Sequence, residues 1–277
     1  YASIADQCGV VELVTSLLVK WGTPEQQQQW LPGLMAGTQR CAYALTEAEA
    51  GSDLGNVKTS AVRNDAGNWV LNGEKVYIHN APVSDVALIL AVTDKTTGKR
   101  GGMSMFLVDT DTPGVTKAYH EHKMGQRASQ VGGYVLQDVE VGQDTLLGEE
   151  GAGFGAVLSV LEKGRVGIGA LALGIHRAAL EASIEHATTR NQFGRPVADF
   201  QATGFKLADM KTEYEASRLL IEDAANKIDA GSPEAGAASS IAKLYASEAA
   251  VRATGEAVQV HGGSGFIRGV EVERLYR

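Results

Sequence analysis

The stretch Cys41-Ala-Tyr-Ala-Leu-Thr-Glu-Ala-Glu-Ala-Gly-Ser-Asp-Leu-Gly55 joins a strand-like pattern to a loop of small and acidic residues. Tyr43 and Leu45 fall on one face of the alternating run, which is typical of a β-strand. Gly51 and Ser52 then end the alternation. Because glycine has no side chain, backbone N–H groups and a hydroxyl can approach a ligand closely there. The stretch therefore predicts a strand that carries a ligand-binding loop.

Composition and charge restrict the class of protein. The 277 residues include 44% hydrophobic and 21% charged residues, which is enough for a substantial core. The net charge of −8 argues against nucleic acid or an anionic membrane surface as the main partner. Cys8 and Cys41 are too few for a disulfide framework and favour a reducing compartment. We find no apolar run of membrane-spanning length and no signal peptide, so we expect an acidic, soluble enzyme.

The periodicity of the chain predicts three parts and an α+β fold class. Residues 1–40 favour two helices, with Thr23 and Pro24 beginning the second, and we expect no chemistry there. Residues 41–147 favour about six strands without intervening helices, which predicts an antiparallel barrel or sandwich. Within them, Asn72-Gly73 lies between two strand-like runs and predicts a hairpin turn. Residues 148–277 are helical and rich in alanine, which predicts a C-terminal helical bundle.

Four segments, in order along the chain, resemble signatures of the acyl-CoA dehydrogenase family. Ala44-Leu-Thr-Glu-Ala-Glu-Ala-Gly-Ser-Asp53 resembles the first signature, with Asn56 where the family has a small residue. Tyr77-Ile-His-Asn80 takes the place of a Trp-Ile-Thr/Ser-Asn segment. Arg190-Asn-Gln-Phe-Gly-Arg-Pro196 resembles the second signature, and Gln259-Val-His-Gly-Gly-Ser-Gly265 resembles a Gln-x-x-Gly-Gly-x-Gly segment. The resemblance covers nearly the whole chain and implies a β domain between helical domains.

The resemblance implies FAD as the cofactor. The cofactor-binding residues that it implies are Tyr43, Leu45, Thr46, Gly51, Ser52, Tyr77, Ile78, His79, Arg190, Gln192, Phe193, Gln201, Gln259, Gly262 and Gly263. Tyr77 keeps the aromatic face of the family's tryptophan, whereas His79 replaces a hydroxyl that the resemblance directs at flavin N5. Whether His79 donates a hydrogen bond or acts as a cation stays open. The resemblance sets Arg190 against the FAD of a neighbouring subunit, which implies a homo-oligomer, as a dimer of dimers.

The reaction that the resemblance implies is α,β-dehydrogenation of an acyl-CoA thioester, with electron-transfer flavoprotein as the electron acceptor. Ser52, Glu162 and Arg165 are the expected substrate-binding residues. Most relatives carry the catalytic glutamate in a segment that we expect beyond Arg277, and a minority carry it at the position of Gly164, where glycine cannot serve. We therefore assign no catalytic residue, and we expect that the sequence is incomplete at both ends. The expected location is the bacterial cytoplasm or the mitochondrial matrix.

Several alternatives stay open at this point. An acyl-CoA oxidase, a desulfinase-like lyase or a catalytically silent FAD- or CoA-binding module would use the same scaffold. The segment 123–129 resembles the family's loop before its last β-strand and is equally consistent with a basic turn. Residues 151–156 and 167–172 match a dinucleotide fingerprint, but neither has the required strand before it, so a nicotinamide cofactor is not supported. His120 and His122 have no evident third partner, so no metal site is predicted.

Overall fold

The computed structural model describes residues 2–98 and 101–277 and divides them into two compact units. The β unit comprises Asp6–Lys123 and Arg127–Leu161. The helical unit comprises Glu162–Arg277, the short segment Met124–Gln126 and an N-terminal segment that ends at Ala5. The three domain boundaries expected from the sequence stay a prediction.

Two helices precede the sheet. They are α1 (Ala2–Trp21) and α2 (Pro24–Ala36), as predicted, and Thr23 caps α2 in a reciprocal pair of hydrogen bonds with Gln26. By length and composition, helix α1 could cross a membrane, with a mean hydropathy of 1.4. The expectation that the chain has no apolar run of membrane-spanning length was therefore wrong. Its Leu17 and Leu18 are completely buried in the core of the β unit. Burial in the protein core accounts for the apolar residues on the side of α1 that carries Leu17 and Leu18.

The sheet of the β unit is mixed. Its strands are β1 (Cys41–Ala44), β2 (Ser60–Arg63), β3 (Trp69–His79), β4 (Val86–Val92), β5 (Met103–Asp109), β6 (Val115–His120), β7 (Val131–Val141) and β8 (Leu146–Leu147). They follow the order β6-β7-β3-β2-β4-β5-β8, and β1 also pairs with β4. The pairings of β4 with β1 and with β2 are parallel and the others are antiparallel, so the expectation of a wholly antiparallel sheet was wrong. The α+β fold class is confirmed.

The pair Asn72-Gly73 lies inside a continuous strand, so the predicted hairpin there was wrong. Strand β3 continues through both residues, and its register against β7 shifts at Gly73, which has a φ of 153°. A Cβ atom on Gly73 would lie 2.4 Å from Thr59 Oγ1, which is a steric clash. Only glycine, which has no Cβ atom, fits at this position without a shift. The turn between β2 and β3 instead closes at Asn64, whose N–H donates to Asn68 O. A β-bulge and a two-residue turn both favour glycine, so the sequence pattern did not separate them.

The helical unit contains the long helices of the predicted C-terminal bundle. They are α3 (Gly153–Thr189, which begins in the β unit), α4 (Gln201–Asp229), α5 (Ala235–Val260) and the short α6 (Glu271–Tyr276). A two-stranded ladder, β9 (Asn191–Gln192) with β10 (Arg195–Pro196), separates α3 from α4. The buried alanines of α5 allow close helix packing; they include Ala242, Ala246, Ala249, Ala253 and Ala257. Residues 151–156 lead into α3 and residues 167–172 lie within it, as expected for a false dinucleotide match.

Candidate functional site

The loop after β1 is attached to the middle of β3. Val76 N–H donates to Thr46 O at 3.0 Å, and Lys75 Nζ donates to Leu45 O at 3.0 Å. Glu47 and Ala50 exchange two backbone hydrogen bonds, which close a tight turn after Thr46. The structure therefore brings together two segments that the sequence separates by about 30 residues, the first family signature and the segment that begins at Tyr77.

A buried ion pair fixes this junction. Lys75 Nζ lies 2.8 Å from Glu47 Oε1, and Glu47 also accepts hydrogen bonds from Lys58 N and from the N and Oγ1 of Thr59. Burial alone would raise the pKa of Glu47, but the charge of Lys75 and these hydrogen bonds hold the pKa below its ordinary value. Burial, opposed by Glu47, lowers the pKa of Lys75 to about 8. Both charges therefore have partners inside the protein.

Tyr77 has a strained backbone and an exposed ring. Its φ is 56°, and the register between β3 and β7 shifts between Lys75 and Ile78. A tyrosine at positive φ is uncommon, and such strain is concentrated at functional sites. The side chain is 70% exposed. The aromatic ring at this bulge is therefore available to a ligand.

The other cofactor residues that the sequence predicted in the β unit have different surroundings. Leu45 is 7% exposed and Ile78 is 2% exposed, so both side chains belong to the core and leave the backbone for ligand contact. The Tyr43 hydroxyl donates to Val157 O at 3.0 Å, and burial raises the pKa of that hydroxyl. Gly51 and Ser52 are exposed in the loop. Their assignment to cofactor or substrate stays a prediction.

His79 lies in a polar cluster that the sequence did not reveal. Its Nε2 atom is 2.7 Å from Ser129 Oγ and 3.0 Å from Gln7 Nε2, and Ser129 donates to Asp6. Burial lowers the pKa of His79, the carboxylate of Asp6 opposes this, and Lys123 adds to it. Two residues of the cluster, Asp6 and Gln7, are on α1. The expectation of no chemistry in the first two helices stays a prediction. No local signal could have identified these two residues, because 72 residues separate Gln7 from His79.

In the helical unit, the predicted pyrophosphate loop is a tight hairpin. Arg190 follows the last residue of α3 and is exposed. At the tip of the hairpin, Phe193 and Gly194 have φ values of 53° and 79°, as a type I′ turn requires. The Phe193 side chain is 93% exposed. The hairpin therefore holds an aromatic ring away from the core at the cost of backbone strain.

The end of α5 lies next to this hairpin. A groove of about 340 Å³ is lined by Gln192, Phe193 and Gln259, together with Lys206 and residues near the start of α4. The rings of His186 and His261 stack with their centroids 4.2 Å apart, which joins the ends of α3 and α5. The glycines that follow, Gly262 and Gly263, are exposed, as is Gln201 at the start of α4. The two predicted cofactor segments of the helical unit thus meet at one groove.

The predicted substrate residues Glu162 and Arg165 lie on α3. Their i, i+3 spacing gives them neighbouring positions on the helix surface. Gly164 lies between them and offers no group that could take up a proton.

The rings of His120 and His122 have centroids 6.2 Å apart. Within residues 2–98 and 101–277, no group of three or more His, Cys, Asp or Glu side chains could hold a metal ion.

Each unit, taken by itself, has residues that could hold part of a flavin nucleotide. Tyr77 and Phe193 offer aromatic faces that are exposed at positive φ, and an isoalloxazine or adenine ring would cover such a face. Arg190 offers a cation with bidentate geometry for a pyrophosphate. His79 departs from the hydroxyl expected at its position but still has a nitrogen that can donate a hydrogen bond.

Comparisons with known proteins identify the family. Residues 42–139 match the model of the "Acyl-CoA dehydrogenase, middle domain", and residues 151–277 match that of the "Acyl-CoA dehydrogenase, C-terminal domain". The caffeyl-CoA reductase-Etf complex subunit CarC of Acetobacterium woodii is 42% identical over 257 residues, which are 92% of this chain and 67% of that protein.

Two solved structures are similar over almost the whole chain. Butyryl-CoA dehydrogenase from Megasphaera elsdenii has a TM-score of 0.95 and 40% identity, and the match covers 99% of this chain and 72% of that one. The FAD complex of PigA has a TM-score of 0.93 and 30% identity, with the same coverage of 99% and 72%. The chain therefore belongs to the acyl-CoA dehydrogenase family, whose members are FAD-dependent oxidoreductases.

Proposed function

We propose that this chain binds FAD and an acyl-CoA thioester and carries out α,β-dehydrogenation of the acyl chain. The observation that carries the proposal is the exposed ring of Tyr77, which has a φ of 56° and directly follows Val76, the residue that donates to Thr46 O. Backbone strain is concentrated at functional sites, and a planar cofactor would cover an exposed aromatic ring. FAD, when bound, accepts the hydride that leaves the β-carbon of the substrate.

The residues of the chain have separate roles in this proposal. Thr46 and Tyr77 bind the ring system. Arg190 binds the pyrophosphate and Gln259 contacts the FAD, and in the family that FAD belongs to a neighbouring subunit. Glu162, Arg165 and Ser52 bind the acyl-CoA. No residue is assigned to proton abstraction, since the one position on α3 that the family uses is Gly164. A homo-oligomer follows, because the two halves of such a site come from different copies.

We propose electron-transfer flavoprotein as the redox partner. The support is the name of one relative, which is a subunit of a reductase-Etf complex. The same name indicates that relatives also work in the direction of reduction. A location in the bacterial cytoplasm or the mitochondrial matrix is consistent with this partner.

Anaerobic addition of butyryl-CoA to the FAD-loaded protein tests the proposal. Loss of the flavin absorbance near its long-wavelength maximum is the expected result, and added electron-transfer flavoprotein should restore it. Oxygen consumption without need of that acceptor would indicate an oxidase instead. A bound flavin that no short, branched or aromatic acyl-CoA bleaches would contradict dehydrogenation and favour a silent binding module.

A further inference from the structure

Two histidines meet where the helices α3 and α5 end. His186 lies in the last turn of α3, and His261 is the residue that caps α5. Their rings stack with the centroids 4.2 Å apart and the planes inclined by 27°. Both residues are half-buried. Because two positive rings in this arrangement would repel each other at close range, the pair can hold one proton near neutral pH but not two.

The backbone of α5 fixes the ring of His261. Ala257 O accepts a hydrogen bond from His261 N at 3.1 Å and lies 2.8 Å from His261 Nδ1. A carbonyl oxygen only accepts, so Nδ1 carries a hydrogen. In the neutral ring Nε2 then has none and can take up a proton. His261 is therefore either a neutral partner for a charged His186 or the ring that carries the proton.

Arg190 brings a further positive charge to this pair. It follows His186 by four residues, and its N–H donates to His186 O at 2.9 Å, so both lie on one side of the end of α3. Burial lowers the pKa of His186 below its ordinary value of 6.5, and the charges of His261 and Arg190 lower it further. The C-terminal ends of α3 and α5 attract a proton, whereas Arg190 repels it. Neutralising Arg190 therefore favours protonation of the pair.

Charged groups on the helices that pack here form ion pairs with one another. Lys206 of α4, which lines the groove beside the hairpin, pairs with Glu256 of α5. On α6, Glu271 and Glu273 each pair with an arginine three or four residues further along the chain. Arg190 is exposed and forms no ion pair within the described part of the chain. Its charge is therefore available to an anionic ligand.

We propose that the His186–His261 pair takes up one proton when a nucleotide diphosphate binds at Arg190, so that binding of the FAD phosphates is coupled to protonation of the protein. This inference rests on the proposed function for its ligand, whereas the coupling of Arg190 to the pair is a property of the protein alone. The phosphates of FAD stay fully charged near neutral pH, so the proton goes to the protein. The bound phosphates neutralise Arg190, and repulsion between the two rings limits the uptake to one proton.

Binding of FAD should tighten as the pH falls. The pair has the lower proton affinity in the free protein and the higher one in the complex, so uptake is largest between the two pKa values. The pKa of His186 in the free protein lies below 6.5, which places the uptake near and below neutral pH. The dissociation constant should fall about fivefold to tenfold from pH 8 to pH 5.5, as a pKa that rises by about one in the complex requires.

Proton NMR of the imidazole rings tests the coupling without any cofactor. The His186 signal is assigned from its loss in His186→Gln, which is practical because the chain has six histidines. In Arg190→Met the pKa of His186 should rise by about 0.5 to 1, since one repelling charge is gone. Arg177→Met removes an exposed arginine of the same helix that pairs with Glu181, and it should leave that pKa unchanged. Equal pKa values of His186 in the two arginine variants overturn the inference.

Titration calorimetry with FAD tests the coupled binding. Heats measured at pH 6.5 in two buffers of different ionisation enthalpy give the number of protons taken up, and we expect about 0.3 to 1 for the wild type. The double variant His186→Gln, His261→Gln should lose this uptake and the dependence of affinity on pH. The matched double variant His120→Gln, His122→Gln changes an exposed histidine pair of the β unit and should keep both.

The outcomes separate the inference from the proposed function. A wild type that binds FAD without proton uptake, or an uptake that the first double variant retains in full, overturns the inference. Because Arg190→Met leaves both histidines in place, the inference stays testable if that double variant does not fold. If the wild type binds no FAD while Arg190→Met raises the pKa of His186 as expected, the proposed function fails and the coupling within the protein stands.

Discussion

The ammonium of Lys75 lies 2.8 Å from Glu47 Oε1, with the lysine side chain fully buried. This pair joins the strand that leads to Tyr77 to the loop that follows β1. Its position explains how two distant segments form one junction. Desolvating both charges is costly, so the pair as a whole adds little net stability. Removing one partner is nevertheless strongly destabilising, because the other charge then stays buried without a partner.

Lys75→Met should lower the free energy of unfolding by about 3–5 kcal/mol, because it leaves the Glu47 carboxylate without its buried cation. Glu47→Gln should also destabilise the protein. The double variant should lose less than the sum of the two, since neither charge remains. Urea unfolding followed by circular dichroism measures all three. Lys58→Met, which removes an exposed partner of Glu49, should leave stability unchanged. Strictly additive losses for the buried pair would contradict this account.

Tyr77→Gly separates stability from binding. Glycine adopts the φ of 56° without strain, and this gain offsets the larger entropy of the unfolded chain, so stability should change by less than about 1 kcal/mol. FAD affinity should nevertheless fall at least tenfold because the aromatic face is lost. Tyr77→Phe keeps that face and should bind FAD like the wild type. Equal FAD affinity for the glycine and phenylalanine variants would remove Tyr77 from the site.

Local patterns predicted the elements but not all their partners. The strand Val86–Val92 and the cap at Thr23 were predictable, because burial and capping depend on adjacent residues. The parallel pairing of β1 with β4 depends on the order in which distant strands assemble. The Gln7–His79 contact likewise spans 72 residues and leaves no periodic signal.

Gly73→Ala tests the bulge that replaced the expected hairpin. A Cβ there would lie 2.4 Å from Thr59 Oγ1 and 2.7 Å from Thr59 Cα, so the backbone must shift, at a cost of about 1–3 kcal/mol. Gly204→Ala, within α4 and with no atom within 4 Å of the added Cβ, should instead stabilise by about 0.5–1 kcal/mol. Thermal unfolding of the two variants compares them. If both alanines stabilised the protein to the same extent, the close approach of Thr59 would have no role.

Arg190→Met tests the cation assigned to the phosphates. The side chain is exposed, so its removal should leave the unfolding temperature unchanged while FAD affinity falls about tenfold or more, as expected for a lost charge-assisted hydrogen bond. The salt dependence of binding should weaken as well. Arg177→Met removes an exposed arginine of α3 that pairs with Glu181 and should bind FAD normally. Equal FAD affinity for the two variants would exclude Arg190 from the site.

His176 should make stability fall in mild acid. Its ring is completely buried, Nε2 lies 2.8 Å from Met210 O, and Nδ1 has no partner. Burial, opposed by the carbonyl of Met210 and by Glu213 and assisted by Arg252, lowers its pKa below the ordinary value of 6.5. Below pH 6.5 the unfolded chain therefore binds a proton that the folded chain refuses, and the free energy of unfolding decreases as pH falls toward the folded pKa.

Well above pH 6.5 the ring is neutral in both states, so His176 should add no pH dependence there. His176→Phe removes the titrating group, and urea unfolding at several values between pH 7.5 and pH 5 should give a shallower loss of stability than in the wild type. His122→Asn, at an exposed position, should keep the wild-type slope. The proton linkage argued for His176 is wrong if the phenylalanine variant loses stability with the same slope as the wild type, because the acid sensitivity then originates at other groups.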